Sequence, residues 1–361
     1  MRVAPDHGAA AGRRSPGAAR PLNRLKIALG VAISVALLVY LFRSVDLTEL
    51  GHQLRSAHWS WMVVAVVIAP IQIWIRGRRW WYLFPPGSNP RAITPAMMIG
   101  YMANNVLPLR AGEVVRVYVV ARRWSASRDV RARAHPFWTT LATLIVERVL
   151  DSLVVVLILA VLVLVIPVPR VLEIAALLVL AIDLAGVAML IALVAAPQVC
   201  ARLITRLLGR WPGGQRRALT AFETFVHGLD GIRAPAHALP LFAWTITVWL
   251  APAFAAWTVL VALDLQLPFA APWAVLAFVG LGVSIPSAPG YVGVFHAAVV
   301  LALGLFGVSR SAAVGYALLF HASQILPVTL LGWLYLLREH MSLGEAAHAR
   351  AEVEPGAAGA P

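Results

Sequence analysis

Long stretches almost without charge constrain this chain more than any other feature of its sequence. Eight of them together cover most of its length, namely 27–42, 56–75, 92–109, 137–168, 171–195, 234–263, 266–309 and 311–337. A membrane-spanning helix needs about 20 mostly apolar residues, so these stretches have the lengths of membrane segments, and 266–309 has room for two. Only 13% of all residues are charged, whereas about a quarter are charged in a soluble domain. The sequence therefore predicts an all-α fold, a polytopic membrane helical bundle.

The two ends of the chain differ in composition from the apolar stretches. Residues 1–24 are rich in Ala, Gly, Pro and Arg, and residues 339–361 are similar, so we expect both to be disordered tails. A secretory signal would have a small-x-small cleavage site after the first apolar stretch, and VALLVYLFRSVD offers none. We therefore interpret 27–42 as a retained anchor at the start of a transmembrane domain that covers 25–338.

The formal net charge of +14 requires an explanation. Nucleic-acid binding is not favoured, because the arginines fall between apolar stretches and form no aromatic-interleaved stripe on a soluble domain. Basic residues instead concentrate in 1–26, 76–91, 110–133 and 202–233, and short basic loops stay in the cytoplasm. This distribution predicts a multi-pass protein of the cell membrane with both termini in the cytoplasm.

The stretch 92–109 lies between two basic segments that both belong in the cytoplasm by this rule. A single crossing would place one of them outside, so we expect a re-entrant hairpin that enters the membrane, turns and returns to the same side. The sequence NNVLPLRAGE suits such a turn, because Pro108 interrupts a helix and Gly112 tolerates a left-handed backbone. These two residues are the predicted hinge of the hairpin.

The same pattern recurs in the second half, in the sequence SIPSAPGYVGVFH. Pro286 and Gly290 repeat the Pro-x-x-x-Gly spacing of the first hairpin, and Pro289 adds a second break. The pattern predicts about six full spans plus two re-entrant hairpins, arranged as inverted-topology repeats over 25–168 and 171–338, a common transporter design. Eight or nine simple spans without symmetry are the alternative.

One apolar stretch carries charges far from its ends. Glu147, Arg148 and Asp151 lie there, and Glu147 is roughly 15 Å from the start of the stretch if it is helical. Glu147 and Asp151 share a helical face because they are four residues apart, and we expect Arg110 or Arg116 to supply a cation to them. Ionisable groups at this depth mark a substrate or ion path by default. The alternative is that these charges pin neighbouring helices together or lie at the membrane interface.

Three short motifs occur in a fixed order along the chain. They are N-x-x-P-x-R-x-G-E-x-x-R from Asn105 to Arg116, E-R-x-x-D from Glu147 to Asp151, and P-G-x-x-G from Pro289 to Gly293. Together they resemble the lysylphosphatidylglycerol synthase transmembrane family, also called flippase-like, over about 25–338. The resemblance implies a stand-alone membrane member without the soluble synthase domain. It also implies a protein that moves or binds a lipid, such as an anionic phospholipid, an aminoacylated lipid or a polyprenyl-linked precursor.

The resemblance assigns substrate-binding candidates position by position: Asn105, Arg110, Glu113, Arg116, Glu147, Arg148, Asp151, Gly290 and Gly293. It departs at His296, where relatives often carry an acidic residue, so this histidine either takes over that role or leaves it unfilled. His321 and Gln324 add polar groups to the second half and are further candidates. Arginine suits phosphate because its planar fork of donors matches the phosphate oxygens. Glu113 and Glu147 would hold the arginines in place or accept a headgroup amine.

Signatures of enzymes are sparse. Cys200 is the single cysteine, and neither His-Glu-x-x-His nor a phosphate-binding Gly-x-x-x-x-Gly-Lys occurs, so we expect no metal, no cofactor and no enzyme activity. We expect membrane lipids as the partners, with transport passive or coupled to an ion gradient. Two other hypotheses remain open, a membrane-embedded transferase for lipid headgroups and a non-catalytic scaffold that partners an envelope or lipid-biosynthesis enzyme.

Overall fold

The computed structural model describes residues 21–43, 45–108, 110–125, 136–166, 170–283 and 287–339. Within these ranges all regular structure is helical. Pro286, one of the predicted hinge residues, lies outside them, as do most of the two predicted tails. The first helix begins at Pro21, so its first turn lies inside the predicted tail 1–24.

The helices follow one another in two comparable series. The first series is α1 (Pro21–Phe42), α2 (Leu47–Ser56), α3 (Trp59–Trp81), α4 (Ile93–Val106), α5 (Gly112–Ser125) and α6 (Pro136–Val165). The second is α7 (Arg170–Ala195), α8 (Pro197–Leu207), α9 (Pro212–Gly228), α10 (Asp230–Arg233), α11 (Pro235–Ala262), α12 (Ala270–Gly282), α13 (Val294–Gly304) and α14 (Arg310–Arg338), with a 3₁₀ helix, Pro289–Tyr291, before α13.

Four helices are long and apolar enough to cross a membrane, namely α3, α6, α11 and α14. Two pairs, α1 with α2 and α7 with α8, bend by 90° and 92°, and each pair supplies one more span if it is counted as one. The described residues therefore contain four to six candidate spans. The prediction of an all-α polytopic bundle is confirmed.

Two hairpins are built from helices too short to cross. The helices α4 and α5 have 14 residues each, and α12 and α13 have 13 and 11. None is longer than about 21 Å, while the hydrocarbon core is about 30 Å thick. The first hairpin extends beyond the predicted 92–109, because its second arm is α5. The basic residues of α5 indicated a loop in the sequence, but Arg116 among them is buried.

The order of long and short helices in the first series recurs in the second. A bent pair, a long helix, two short helices and a further long helix occur in both, with α9 and α10 inserted in the second. Packing between the series is reciprocal, since α4 packs on α14 and α12 packs on α6. Three crossings in the first series would start the second on the opposite side of the membrane, as inverted repeats require. The repeat boundaries 25–168 and 171–338 stay a prediction.

Both hairpin tips contain non-helical backbone, which is tolerated at membrane depth only where protein or water satisfies its polar groups. At the first tip, the Asn104 side-chain oxygen accepts a hydrogen bond from the Gly112 N–H at 2.8 Å. At the second tip, the Ser34 hydroxyl of α1 accepts from the Ala288 N–H at 2.9 Å. Neighbouring side chains thus replace the hydrogen bonds that the broken helices lack.

Gly112 is required by the close approach of the two arms of the first hairpin. A β-carbon there would lie 1.8 Å from the Gly100 carbonyl oxygen and 2.7 Å from the Asn104 side-chain oxygen. Small residues permit such approaches between membrane helices. The predicted reason for Gly112, a left-handed backbone, is wrong. The left-handed residue of this turn is Arg110, whose φ is 54°.

Contacts between helix ends show which ends share a side of the bundle. Arg123 near the end of α5 pairs with Glu339, which directly follows α14, so the C-terminal ends of these helices lie together. At the opposite end, the Ser309 hydroxyl donates to Glu49 of α2 at 3.0 Å. This arrangement agrees with a hairpin that returns to the side it entered from.

Candidate functional site

Charged side chains from three helices of the first series, and from the turn of its hairpin, meet at one place. We call these eight residues the charged cluster: Arg76 and Arg79 of α3, Arg110 of the first hairpin turn, Glu113 and Arg116 of α5, and Glu147, Arg148 and Asp151 of α6. Five guanidinium groups face three carboxylates, so the cluster carries a formal excess of two positive charges.

Glu147 is fully buried at the centre of the charged cluster. Its carboxylate lies 2.8 Å from Arg148, 3.1 Å from Arg116 and 3.6 Å from Arg79. Of the two arginines expected to supply a cation to Glu147 and Asp151, Arg116 reaches Glu147. Arg110 contacts Glu113 instead, at 3.5 Å.

Asp151 lies one helical turn further along α6. A nitrogen of Arg79 lies 2.6 Å from its carboxylate, and Arg76 and Arg148 each lie 3.5 Å away. The sequence reading placed Arg76 and Arg79 in a cytoplasmic loop, which is wrong. The helix α3 continues to Trp81, and Arg79 is fully buried.

The spacing of the missed arginines was a usable signal. Arg76 and Arg79 are three apart and directly follow an apolar stretch, so on a continued helix they share a face. Glu147 and Asp151 show the same spacing on α6. A run of apolar residues that ends in arginines at helical spacing therefore predicts either an interfacial anchor or a buried partner for carboxylates elsewhere in the chain.

One side of the charged cluster is more accessible than the other. The exposed fraction of the side chain is 42% for Arg110, 36% for Arg148 and 25% for Glu113, and it is zero for Arg79 and Glu147. Glu113 lies between the two accessible arginines, at 3.5 Å from the first and 3.7 Å from the second. We call these three residues the open side of the cluster.

The tip of the second hairpin borders this open side. The Arg110 guanidinium lies 5.9 Å from the centre of the Tyr291 ring. Beside it, a β-carbon on Gly290 would lie 3.3 Å from the Asn105 carbonyl oxygen, so the two tips are in contact. The first and third sequence motifs therefore meet in space.

Aromatic and polar groups fix the deep side of the charged cluster. The Arg116 guanidinium lies 5.0 Å from the centre of the Trp80 ring and 3.2 Å from the sulfur of Met97. The Trp80 indole N–H donates to the Thr143 hydroxyl at 3.0 Å. A cation over an aromatic face in a buried setting is held by an attraction of about 2 kcal/mol, so Arg116 has little freedom to move.

The carboxylates are the partners of the buried guanidinium groups. Arg79 lies 2.6 Å from Asp151, and Arg116 lies 3.1 Å from Glu147. Because five guanidinium groups share three carboxylates, the cluster keeps an excess of positive charge. This excess suits an anion rich in oxygen.

The neutral candidates of the second half act on the backbone of the second hairpin. His321 Nε2 lies 2.8 Å from the Gly290 carbonyl oxygen, and His296 Nδ1 accepts from the Gly293 N–H at 3.4 Å. Gly290 and Gly293 have φ of 69° and 86°, which favour glycine. Pro289 begins the 3₁₀ helix that contains Gly290. In these contacts His296 caps α13 and does not meet the charged cluster.

The remaining candidates join helices by hydrogen bonds between side chains. Asn105 donates to the Thr329 hydroxyl of α14 at 2.8 Å, and Gln324 accepts from Gln72 of α3 at 3.0 Å. Pro108 lies in the turn that ends α4. The charged candidates of the sequence thus gather in one cluster, and the neutral ones hold the hairpins in place.

Comparisons with known proteins give a family and a partial relative. The family model described as lysylphosphatidylglycerol synthase TM region matches residues 27–332. The chain is also similar to Glycosyltransferase AglD of Haloferax volcanii, with 31% identity over 139 residues, which are 38% of this chain and 21% of that protein. The match therefore spans about a fifth of the length of this relative. No solved structure matches the chain.

Proposed function

We propose that this chain, which belongs to the lysylphosphatidylglycerol synthase transmembrane family, binds an anionic lipid headgroup in the charged cluster and moves that lipid between membrane leaflets. The family match over 27–332 includes every residue of the cluster. Membership makes the chain a membrane protein of a lipid-related family. The cluster is the feature that suggests how the lipid is held.

The charge balance of the cluster carries the proposal. Five guanidinium groups face three carboxylates, which leaves a formal excess of two positive charges. Uncompensated charge within membrane helices is costly and marks substrate paths. A phosphate or phosphodiester would supply the missing negative charge, and its oxygens would accept hydrogen bonds from the accessible guanidinium groups.

The headgroup would enter at the open side. Arg110 and Arg148 are its two accessible cations, and both contact Glu113, which spaces them apart. A phosphate would lie between the two arginines, and a headgroup amine, where the lipid has one, would lie against Glu113. The deep carboxylates of Glu147 and Asp151, which pair with Arg148, would keep its side chain in place without touching the lipid.

The depth of the cluster suits translocation. Glu147 is 11 residues into the 30-residue helix α6, hence roughly 16 Å from its start. At this depth a headgroup would have left one interface without reaching the other. The tip of the second hairpin, at Tyr291, lies beside the same place. Sites near mid-membrane between repeats are typical of transporters that alternate access.

The transferase hypothesis gains less support from the cluster. A general base must reach the proton that it removes. Glu147 is fully buried and has three guanidinium groups within 3.6 Å, and Asp151 likewise has three within 3.5 Å. We therefore propose that Glu147 and Asp151 position arginines and do not act as general bases.

Lipid exchange between leaflets of proteoliposomes tests the proposal. The probes are labelled anionic, zwitterionic and polyprenyl-phosphate lipids, and the variants are Arg148→Gln and Arg110→Gln. A charge-assisted hydrogen bond contributes about 1.5–3 kcal/mol, so each variant should slow the exchange of the preferred lipid about tenfold or more. Arg122→Gln on α5 is the matched control, since Arg122 is exposed and has no ion pair among the described residues.

Each outcome of this experiment decides between the hypotheses. Exchange that depends on the headgroup and falls in both cluster variants supports the proposal. Exchange that stays unchanged in both variants places the site elsewhere. Absence of exchange for every lipid, with the protein folded and still retaining a bound lipid, contradicts translocation and favours the scaffold hypothesis.

A further inference from the structure

The helix α8 leaves a row of apolar side chains uncovered. Val199, Leu203 and Leu207 follow one another at intervals of four residues, so they share one face of the helix, and each is more than half exposed. Trp211, four residues further along the chain, is as exposed as Leu207. We call these four residues the apolar row of α8.

Arginines with the same spacing lie beside the apolar row. Arg202, Arg206 and Arg210 are all exposed, and we call them the basic row. Residues 197–217 contain five arginines and no acidic residue. Among the described residues, none of the basic row forms an ion pair, and the nearest ion pairs along the chain are those of Asp230. This surface therefore combines exposed apolar area with positive charge that the protein does not compensate.

The direction of α8 differs sharply from that of the helix before it. The axes of α7 and α8 meet at 92°. The helix α7 alone has 26 residues, which is enough to cross a membrane without α8. A helix perpendicular to a membrane span lies along the membrane surface. Helices in this position bury an apolar face at the boundary between headgroups and acyl chains, and they carry arginines and lysines on the polar face.

The end of α7 lies on the side of the membrane where α6 begins. The two helices are antiparallel, because Asp183 contacts Ser152 while Gly186, three residues later, packs on Val149, three residues earlier. The helix α9 returns to the same end, where Gly228 lies against the first two turns of α6. The sequence predicts that 202–233 is cytoplasmic, and the cytoplasmic leaflet carries a negative surface potential from its anionic lipids.

We propose that α8 is an in-plane helix that binds anionic lipids of the leaflet on this side. The apolar row lies between acyl chains, and the basic row contacts lipid phosphates, which guanidinium groups bind well. Only Ala196 separates α7 from α8, so α8 begins at the membrane surface and lipid is its nearest occupant. This binding does not depend on lipid movement at the charged cluster.

Spin labels on two faces of α8 test its position in the membrane. Cys200 is the single cysteine, so Cys200→Ser supplies a background without cysteine. In this background, a nitroxide on Leu203→Cys should collide more with oxygen, which enters the bilayer, than with a nickel chelate, which stays in water. A nitroxide on Thr205→Cys, exposed and nearly opposite Leu203 on the helix, should show the reverse. Equal depths of the two labels overturn the proposal.

Fluorescence quenching by brominated lipids tests the preference for anionic lipid. The full chain carries bimane on Leu203→Cys in vesicles of equal parts phosphatidylcholine and phosphatidylglycerol, and one lipid at a time is brominated. Quenching by brominated phosphatidylglycerol should exceed quenching by brominated phosphatidylcholine several-fold, and the excess should fall as salt rises. Equal quenching by the two lipids overturns the proposal.

Variants of the basic row separate charge from the rest of the helix. Replacing Arg202, Arg206 and Arg210 together by glutamine should abolish the excess quenching by phosphatidylglycerol. Replacing the same three by lysine is the matched control, and it should keep most of the excess because the positive charge remains. An excess that survives the glutamine variant overturns the role of the basic row.

A second copy of the chain is the other occupant that the spin labels detect. If copies pair through α8, the Leu203→Cys label should show spin–spin broadening that disappears when labelled protein is diluted with unlabelled protein. Such broadening overturns the proposal, because protein then covers the apolar row. Lipid exchange is not measured in any of these experiments, so a failure of the proposed function leaves their outcome unaffected.

Discussion

The buried arginine of α3 offers a quantitative test of the charged cluster. Arg79 lies 2.6 Å from Asp151 and 3.6 Å from Glu147, and its side chain is fully buried. Removing one partner of a buried ion pair leaves an uncompensated charge and costs about 3–5 kcal/mol. Arg79→Met keeps most of the side-chain volume and removes only the charge. Asp151 would retain Arg76 and Arg148, both at 3.5 Å, so we expect a cost near 3 kcal/mol in the free energy of unfolding.

A second substitution separates the charge effect from packing. Asp151→Asn removes the carboxylate that loses its nearest cation in Arg79→Met. The double variant should therefore be more stable than the sum of the two single effects predicts, by about 1–3 kcal/mol, the range found for residues in one network. Both substitutions nearly preserve side-chain shape, so a change in packing alone would not make their effects on the free energy of unfolding depend on each other.

Equilibrium unfolding of the purified chain in mixed micelles, followed by far-ultraviolet circular dichroism, measures all four corners of the cycle. Arg78→Met is the control, because Arg78 is the adjacent residue on α3 but is exposed. It should change the free energy of unfolding by less than about 0.5 kcal/mol. Effects of Arg79→Met and Asp151→Asn that add within about 0.5 kcal/mol would refute the reasoning, since the two residues would then not act as a pair.

Two further predictions concern the first hairpin. Gly112→Ala should lower the free energy of unfolding by more than about 2 kcal/mol and slow lipid exchange, because the added β-carbon would lie 1.8 Å from the Gly100 carbonyl oxygen and would force α4 and α5 apart. The control is Gly213→Ala on α9, where an added β-carbon meets open space. Equal stabilities of the two variants would contradict the close approach of α4 and α5. Arg110→Gly should be at least as stable as wild type, because it removes a non-glycine residue with left-handed backbone, which costs about 1–3 kcal/mol. The same variant should lose headgroup selectivity in the lipid-exchange assay. Selectivity equal to that of wild type would exclude Arg110 from the site.

The membrane bundle could be predicted from the sequence because its signal is local. Each long helix coincides with an apolar stretch of the sequence, as α6 does with 137–168. Prolines and glycines inside such stretches indicate the breaks beside the short helices. The helix α5 was missed for a physical reason. Its exposed arginines near the end resemble a loop in composition, while the burial of Arg116 depends on Glu147, which is 31 residues away in the sequence.

The site was predicted in part, and the missing part follows from the same limit. The carboxylates of α6 were recognisable because charge inside an apolar stretch is rare. Arg79 lies at the end of such a stretch, where an arginine ordinarily marks the membrane interface, so its burial becomes visible only when α6 is placed beside α3. For the neutral candidates, a role as ligands stays a prediction. His321 and Asn105 looked like ligand groups, but their hydrogen bonds go to the broken backbone and to α14.

The two hairpins are alike in shape and unlike in chemistry, and this difference bears on how many sites the protein has. The arms of the second hairpin carry only His296 among ionisable side chains, and that residue caps its own helix. Two equivalent headgroup sites would need a second set of arginines, and 266–309 contains none. The reciprocal packing therefore brings a neutral tip, with Tyr291 at its edge, against one charged cluster. A lipid headgroup at this place would make its ionic contacts with the first series and only apolar and aromatic contacts with the second hairpin, so the arrangement offers one headgroup site and not two.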